Sequence, residues 1–172
     1  MRPIEHLIVA LLFVGCYVAL VARRLPSLEL AAVTIVGSQF PDIVDKPLAL
    51  EVGLLPTGRV GMHSLPVAVP VWTLALLYGW KTERVRAGVA FALAYASHLV
   101  ADNYAALAAG QIPSDLLWPL AQPVPRPATP YWAGPRSINI HLFTVFSVAL
   151  LSITAYYGLL DVIRHAPVSY TH

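Results

Sequence analysis

The sequence predicts an all-α fold, an integral membrane helical bundle with about five membrane segments, the second of them short. Three observations predict it. Hydrophobic residues make up 58% of the 172 positions and charged residues 12%, about half the charge of a typical soluble domain. Mean hydropathy is +0.67, more apolar surface than a soluble chain of this size can hide. The apolar residues are also gathered into runs, punctuated by proline, glycine and short basic clusters. The length fits a single domain, residues 1–172. With 11 Lys+Arg against 9 Asp+Glu the net charge is only +2, so no basic face for nucleic acid is present. The single cysteine, Cys16, cannot form an internal disulfide.

The first run, residues 7–22, lies between Arg2 and Arg23-Arg24. It has the length of a signal-peptide core, but no small-x-small cleavage site follows. It reads as a retained helix extended back to Pro3. Pro26-Ser27 restarts the chain, with Ser27 as N-cap and Glu29 in the first turn. The second run, 28–40, has about 13 residues and spans roughly 20 Å, short of the roughly 30 Å hydrocarbon core. Pro41-Asp42 is expected to end it. A polar connection with a short apolar piece at 48–55 leads to the third run, 64–80, which Pro70 should kink. The fourth run, 85–109, is interrupted by Ser97, His98, Asp102 and Asn103. A loop at 113–135 holds seven prolines in 23 residues and should be extended. Its Trp118, Tyr131 and Trp132 suit a membrane interface. Ser137 caps the last run, 138–163.

Five passes put the termini on opposite sides. Arg23-Arg24, Lys81, Arg84, Arg86 and Arg164 then share one side, the cytoplasm by the positive-inside rule. His6, Asp42, Asp45, His63, His98, Asp102 and His141 all fall on the other. One polar site on the extracytoplasmic side is the economical reading.

His98-Leu99-Val100-Ala101-Asp102 places an imidazole and a carboxylate one helical turn apart on one face. That pair can grip a metal ion; the alternative is a polar pair hydrogen-bonding across the bundle interior. Ionisable groups within a membrane segment are costly and functional by default, which favours the first reading. Asp42 and Asp45 stand beside Lys46, which otherwise reads as the neutralising cation of a solvated turn. Arg59, in a flexible stretch before His63, offers a bidentate fork for phosphate or carboxylate, or a headgroup anchor. A lone His6 near a helix start is more often bland than a ligand, and His141 more often caps or packs. Ser64 beside His63 and Ser97 beside His98 point to different faces, so neither is a nucleophile–base pair. No nucleophile elbow, P-loop, dinucleotide fingerprint, CxxC or HExxH is present.

The order of these motifs is informative. An N-terminal histidine precedes Gly37-Ser38-Gln39-Phe40-Pro41-Asp42, then Gly58-Arg59 to His63-Ser64-Leu65, then Ser97-His98-Leu99-Val100-Ala101-Asp102, then Leu116-Leu117-Trp118-Pro119-Leu120. Over roughly residues 1–125 the chain resembles the family of membrane-bound metal-dependent hydrolases described as LexA-binding inner-membrane proteins. The resemblance implies His6, Asp42, His63, His98 and Asp102 as metal ligands. Two departures stand out: Val44 intervenes and Lys46 stands where that family usually has His, and one His is missing before His63. More distantly, the order His, Asp, His, then a helical HxxxD is similar to zinc-dependent phospholipase C, an all-helical enzyme, an analogy that suggests phosphoester hydrolysis.

The expected function is therefore a membrane-embedded hydrolase using a divalent metal, zinc in the first instance, on a lipid-like or phosphoester substrate at the surface of the inner (plasma) membrane. Membrane lipid is the expected partner, with no direct nucleic-acid contact. Asp45 is expected as general base or as a partner orienting a ligand, and Arg59 as the binder of an anionic group. The alternative is a non-enzymatic membrane protein that binds metal structurally or anchors a cytoplasmic partner through its basic loops. A structural site is closed by four protein ligands, whereas a catalytic one keeps a position open. A proton-relaying carrier is a third reading, against which stand five passes and the absence of an internal repeat.

Overall fold

The computed structural model describes residues 3–125 and 142–165. Among them the chain is all-helical: α1 Pro3–Ala22, α2 Leu28–Leu50, α3 Leu65–Lys81, α4 Val85–Ala108 and α5 Leu142–His165. Short 3-10 turns fall at Gly61–His63 and Ser114–Leu117.

The helix starts follow local chemistry. Pro3 opens α1, where its missing N–H is no loss. The Ser27 hydroxyl accepts the Leu30 N–H at 3.4 Å and caps α2, with Glu29 in the first turn. α3 carries Pro66 in its first turn. The first, third and fourth helices lie within one residue of the expected bounds at each end. The second does not: it runs 23 residues and continues through Pro41 and Pro47. A proline removes one backbone donor and crowds the carbonyl four residues back, but it does not end a helix that packing holds on both sides. Gly37 is the residue four before Pro41. A Cβ there would lie 2.9 Å from the Phe91 carbonyl oxygen and 3.1 Å from Ala94 Cβ. That seam against α4 fixes the turn. The extension places Asp42, Asp45 and Lys46 on a helix instead of in a connection.

α4 is the central helix and packs against α1, α2 and α3, while α5 lies on α1 and α2. One apolar cluster joins Ala10, Val14 and Val18 of α1 to Leu30, Ala90 and Ala94. A second gathers Ala68, Tyr95, Leu99 and Leu116. The small residues let backbones approach closely, as in membrane bundles. Polar groups share the interior with these clusters, and large apolar side chains lie outside. The buried set includes His6, Thr34, Ser38, Asp42, Asp45, His63, Ser97, His98 and Asp115, whereas Leu20, Leu74, Tyr78 and Trp80 are exposed.

About five membrane segments were expected; among the described residues, α1 is the helix long and apolar enough by itself to cross a membrane. α2 and α4 have the length but carry the ionisable residues, and α3 has 17 residues. The loop expected to be extended at 113–135 contains the 3-10 turn Ser114–Leu117, held where the buried Asp115 carboxylate accepts the Val124 N–H at 3.0 Å. Its remainder from 126, with Tyr131 and Trp132, lies outside the described residues, as do Ser137 and His141.

Candidate metal centre

Four elements bring the ionisable residues to one place. α1 supplies His6, α2 supplies Asp42, Asp45 and Lys46, the Gly61–His63 turn supplies His63, and α4 supplies His98 and Asp102. His6, His63 and His98 are buried, as are the two aspartates of α2.

The turn carrying His63 is built around Asp45. One Asp45 oxygen accepts the Met62 N–H at 2.9 Å, and the other accepts the His63 N–H at 3.0 Å and Nδ1–H at 2.7 Å. Gly61 makes this clamp possible. Its φ is +63°, and a Cβ there would lie 2.7 Å from the Asp45 carboxylate. The Tyr95 hydroxyl donates to the Met62 carbonyl and pins the turn from α4. Asp45 therefore sits behind His63 with both oxygens engaged. That arrangement orients the His63 imidazole.

The ring nitrogens can be assigned from their partners. His98 Nδ1 lies 2.6 Å from the Ser38 carbonyl oxygen, which has no proton to give, so Nδ1 carries the hydrogen and Nε2 presents a lone pair. Nδ1 of His63 likewise donates to Asp45. The two Nε2 atoms then face each other at 3.1 Å. Around them stand more acceptors. Asp42 Oδ1 lies 3.4 Å from His63 Nε2 and 3.8 Å from His98 Nε2, and Asp102 Oδ2 lies 3.8 Å and 3.9 Å from the same atoms. Two facing lone pairs would repel, so the contact needs a proton or a metal cation between the nitrogens. Burial works against a charge on His63, but the carboxylates of Asp42 and Asp45 outweigh it and hold its pKa above the usual histidine value.

His6 closes the other side. Its ring stacks on His98 with centroids 3.7 Å apart, and its Nε2 lies 3.2 Å from Asp102 Oδ1. His6, His98 and Asp102 form one triad with ligand atoms within 4.8 Å of one another, and Asp42, His63 and His98 form a second. His98 belongs to both. The residue types and spacing fit a divalent ion: two tetrahedral bonds of about 2.05 Å put donor nitrogens about 3.3 Å apart, close to the distance seen here.

Two cations edge the centre. Lys46 Nζ lies 2.7 Å from Asp42 Oδ2, one helical turn away. The Arg59 guanidinium pairs with Asp102 Oδ2 and reaches its backbone carbonyl at 3.3 Å. His6, Asp42, Asp45, His63, His98, Asp102 and Arg59 are thus together, while His141 lies outside the described residues. Sequence reasoning passed over Ser38 and Tyr95. Tyr95 was signalled by its spacing three residues before His98, whereas the Ser38 carbonyl left no mark in the sequence.

Comparison with known proteins is narrow. No curated protein and no solved structure matches the chain. The comparisons therefore speak to family and membrane location, not to kinship with hydrolases or zinc-dependent phospholipase C. A family model described as YdjM inner membrane protein matches residues 1–160, nearly the whole chain, with every residue of the His/Asp centre inside the match. The chain belongs to the YdjM inner membrane protein family.

Proposed function

We propose that this protein is a membrane-embedded, metal-dependent hydrolase acting on a phosphoester or lipid-like substrate. In this reading α1–α5 are its five passes and its centre faces the extracytoplasmic side. The observation that carries it is the convergence of the His63 and His98 Nε2 atoms at 3.1 Å with two carboxylate oxygens beside them. A proton on His63 satisfies the contact to His98 alone, whereas a divalent ion satisfies both imidazoles and the carboxylate oxygens beside them. Asp42, His63, His98, Asp102 and His6 would hold the ion, with zinc suited to the imidazole–carboxylate set. Once bound, it would supply Lewis acidity and a water of lowered pKa.

The chain's own groups do the rest. Asp45 and the Ser38 carbonyl fix the tautomer and tilt of the two imidazoles, the arrangement that raises ligand basicity in metal sites. Arg59 presents a planar fork for an anionic group. The apolar clusters on either side keep bulk water out and strengthen each charge interaction. In hydrolysis, water oxygen bonds to phosphorus, the ester P–O bond breaks, and the leaving oxygen takes up a proton.

The test is metal analysis of detergent-purified protein. Wild type should hold zinc that a chelator removes, and His98→Leu and Asp102→Leu should each lose it with helical content unchanged. Thr73→Val, on an exposed turn of α3, should keep it. Equal metal in all four proteins rejects the centre. Metal retained without chelator-sensitive cleavage of aryl phosphate esters leaves a structural site instead.

A further inference from the structure

Lys46 is absent from the functional reading above, yet its position mirrors that of Arg59. Each cation holds one carboxylate of the centre, Lys46 through Asp42 Oδ2 and Arg59 through Asp102 Oδ2. Their side chains are 19% and 29% exposed, whereas those of His6, His63, His98 and Asp102 are 5% or less. Among the described charged side chains of the cluster, these two are the most exposed. They are also mechanically linked. Gly58, the residue before Arg59, packs on Lys46, with its Cβ position 3.2 Å from Lys46 Cγ. The Thr57 hydroxyl accepts the Arg59 N–H at 3.3 Å and sets the loop.

The charge balance says what the pair is for. Asp42, Asp45 and Asp102 against Lys46 and Arg59 leave one negative charge, which a divalent ion turns into one positive. Carboxylates shared with that ion hold the ammonium and guanidinium less tightly. A compact anion with several oxygens meets both, and phosphate suits the guanidinium fork. Beside the pair the surface is apolar. Ile43 lies one turn before Lys46 on the same face of α2 and is 64% exposed. Val52 and Leu54, at 59% and 71%, lie on the segment that folds back onto the end of α2 through Leu54 N–H to the Leu48 carbonyl, 2.9 Å.

We infer that Lys46 and Arg59 form a two-cation clamp for the phosphate of an amphiphile, with Ile43, Val52 and Leu54 as the surface its hydrocarbon lies on. The clamp rests on the metal-centre reading and names the substrate class of that site. Lys46 is a binding residue in its own right, not the neutralising partner of one aspartate.

The experiment is calorimetric titration of zinc-loaded, detergent-purified protein with inorganic phosphate and with short-chain phosphatidic acid, zinc content being measured first. Both probes should bind wild type, the lipid more tightly. Lys46→Met and Arg59→Met should keep zinc and weaken both probes by about tenfold or more, the loss of one charge-assisted hydrogen bond. Arg59→Lys keeps the charge beside Asp102 and removes the fork, and should weaken phosphate too; it decides the matter should the methionine variants lose zinc. Replacing Ile43, Val52 and Leu54 together by Ser should erase the lipid's advantage and leave inorganic phosphate unaffected. Wild type without zinc overturns the metal centre and the clamp with it. Zinc-loaded variants that bind phosphate as wild type does overturn the clamp alone. Equal affinity for the two probes overturns the amphiphile.

Discussion

A single carboxylate, Asp45, decides whether His63 points its free nitrogen into the centre. It accepts two backbone N–H groups and the imidazole Nδ1–H while it is 1% exposed. Asp45→Asn keeps the shape but replaces one acceptor oxygen by a donor. Zinc affinity should fall by about 10–100-fold, as for other outer partners of metal ligands, with the circular dichroism spectrum unchanged. A variant that keeps zinc and loses only turnover would assign Asp45 the role of general base. His98 sets the stoichiometry. Its Nδ1 is committed to the Ser38 carbonyl, so one lone pair serves both triads and can take one ion. Elemental analysis should find about one zinc per chain, and a ratio near two would contradict this.

At the scale of the element, the turn Gly61–His63 and helix α2 carry the argument. Gly61→Ala adds a Cβ against the Asp45 carboxylate and forces a non-glycine residue into a left-handed conformation that costs roughly 1–2 kcal/mol. The turn should shift, zinc should be lost, and thermal unfolding should move down by a few degrees; a Gly61→Ala protein with full zinc would show the clamp to be dispensable. The sequence was legible where one local rule governed an end, as at Ser27 and at the turn between α3 and α4. It misled at Pro41, because the local rule for proline competes with packing that comes from residues far along the chain. Phe91 and Ala94 press on Gly37 from more than 50 positions away, and no window around Pro41 contains them. The site was more legible than the helix bearing it. Ionisable residues are rare enough in apolar runs that their shared side of the membrane grouped them, whereas the backbone carbonyl of Ser38 has no residue type to read.

For the whole molecule, the placement of polar and apolar side chains sets the environment. Side chains such as Leu20, Leu74, Tyr78 and Trp80 are exposed on the outer faces while aspartate and histidine are buried, which suits hydrocarbon outside and agrees with the family's place in the inner membrane. The five-pass reading proposed above would put residues 82 and 122 on opposite sides. In a Cys16→Ala background, cysteine at Thr82 should be shielded from a membrane-impermeant maleimide in spheroplasts, and cysteine at Gln122 should react. Labelling of both from outside would remove either a pass or the assignment of sides.

The donors are strung along the chain from His6 to Asp102, and that spacing has a consequence for biogenesis. During synthesis α1 enters the bilayer first, carrying a histidine whose stacking partner, His98, is still more than 90 residues from being made. Until α4 arrives, His6 lacks both His98 and Asp102, whereas the aspartates of α2 already have Lys46 and the Gly61–His63 turn as partners. α1 is thus left with a polar group whose partners come with α4. Lateral assembly should wait for the fourth helix and then proceed in one step, so nascent chains arrested before residue 98 should be prey to membrane proteases, and chains extended through Asp102 should resist them.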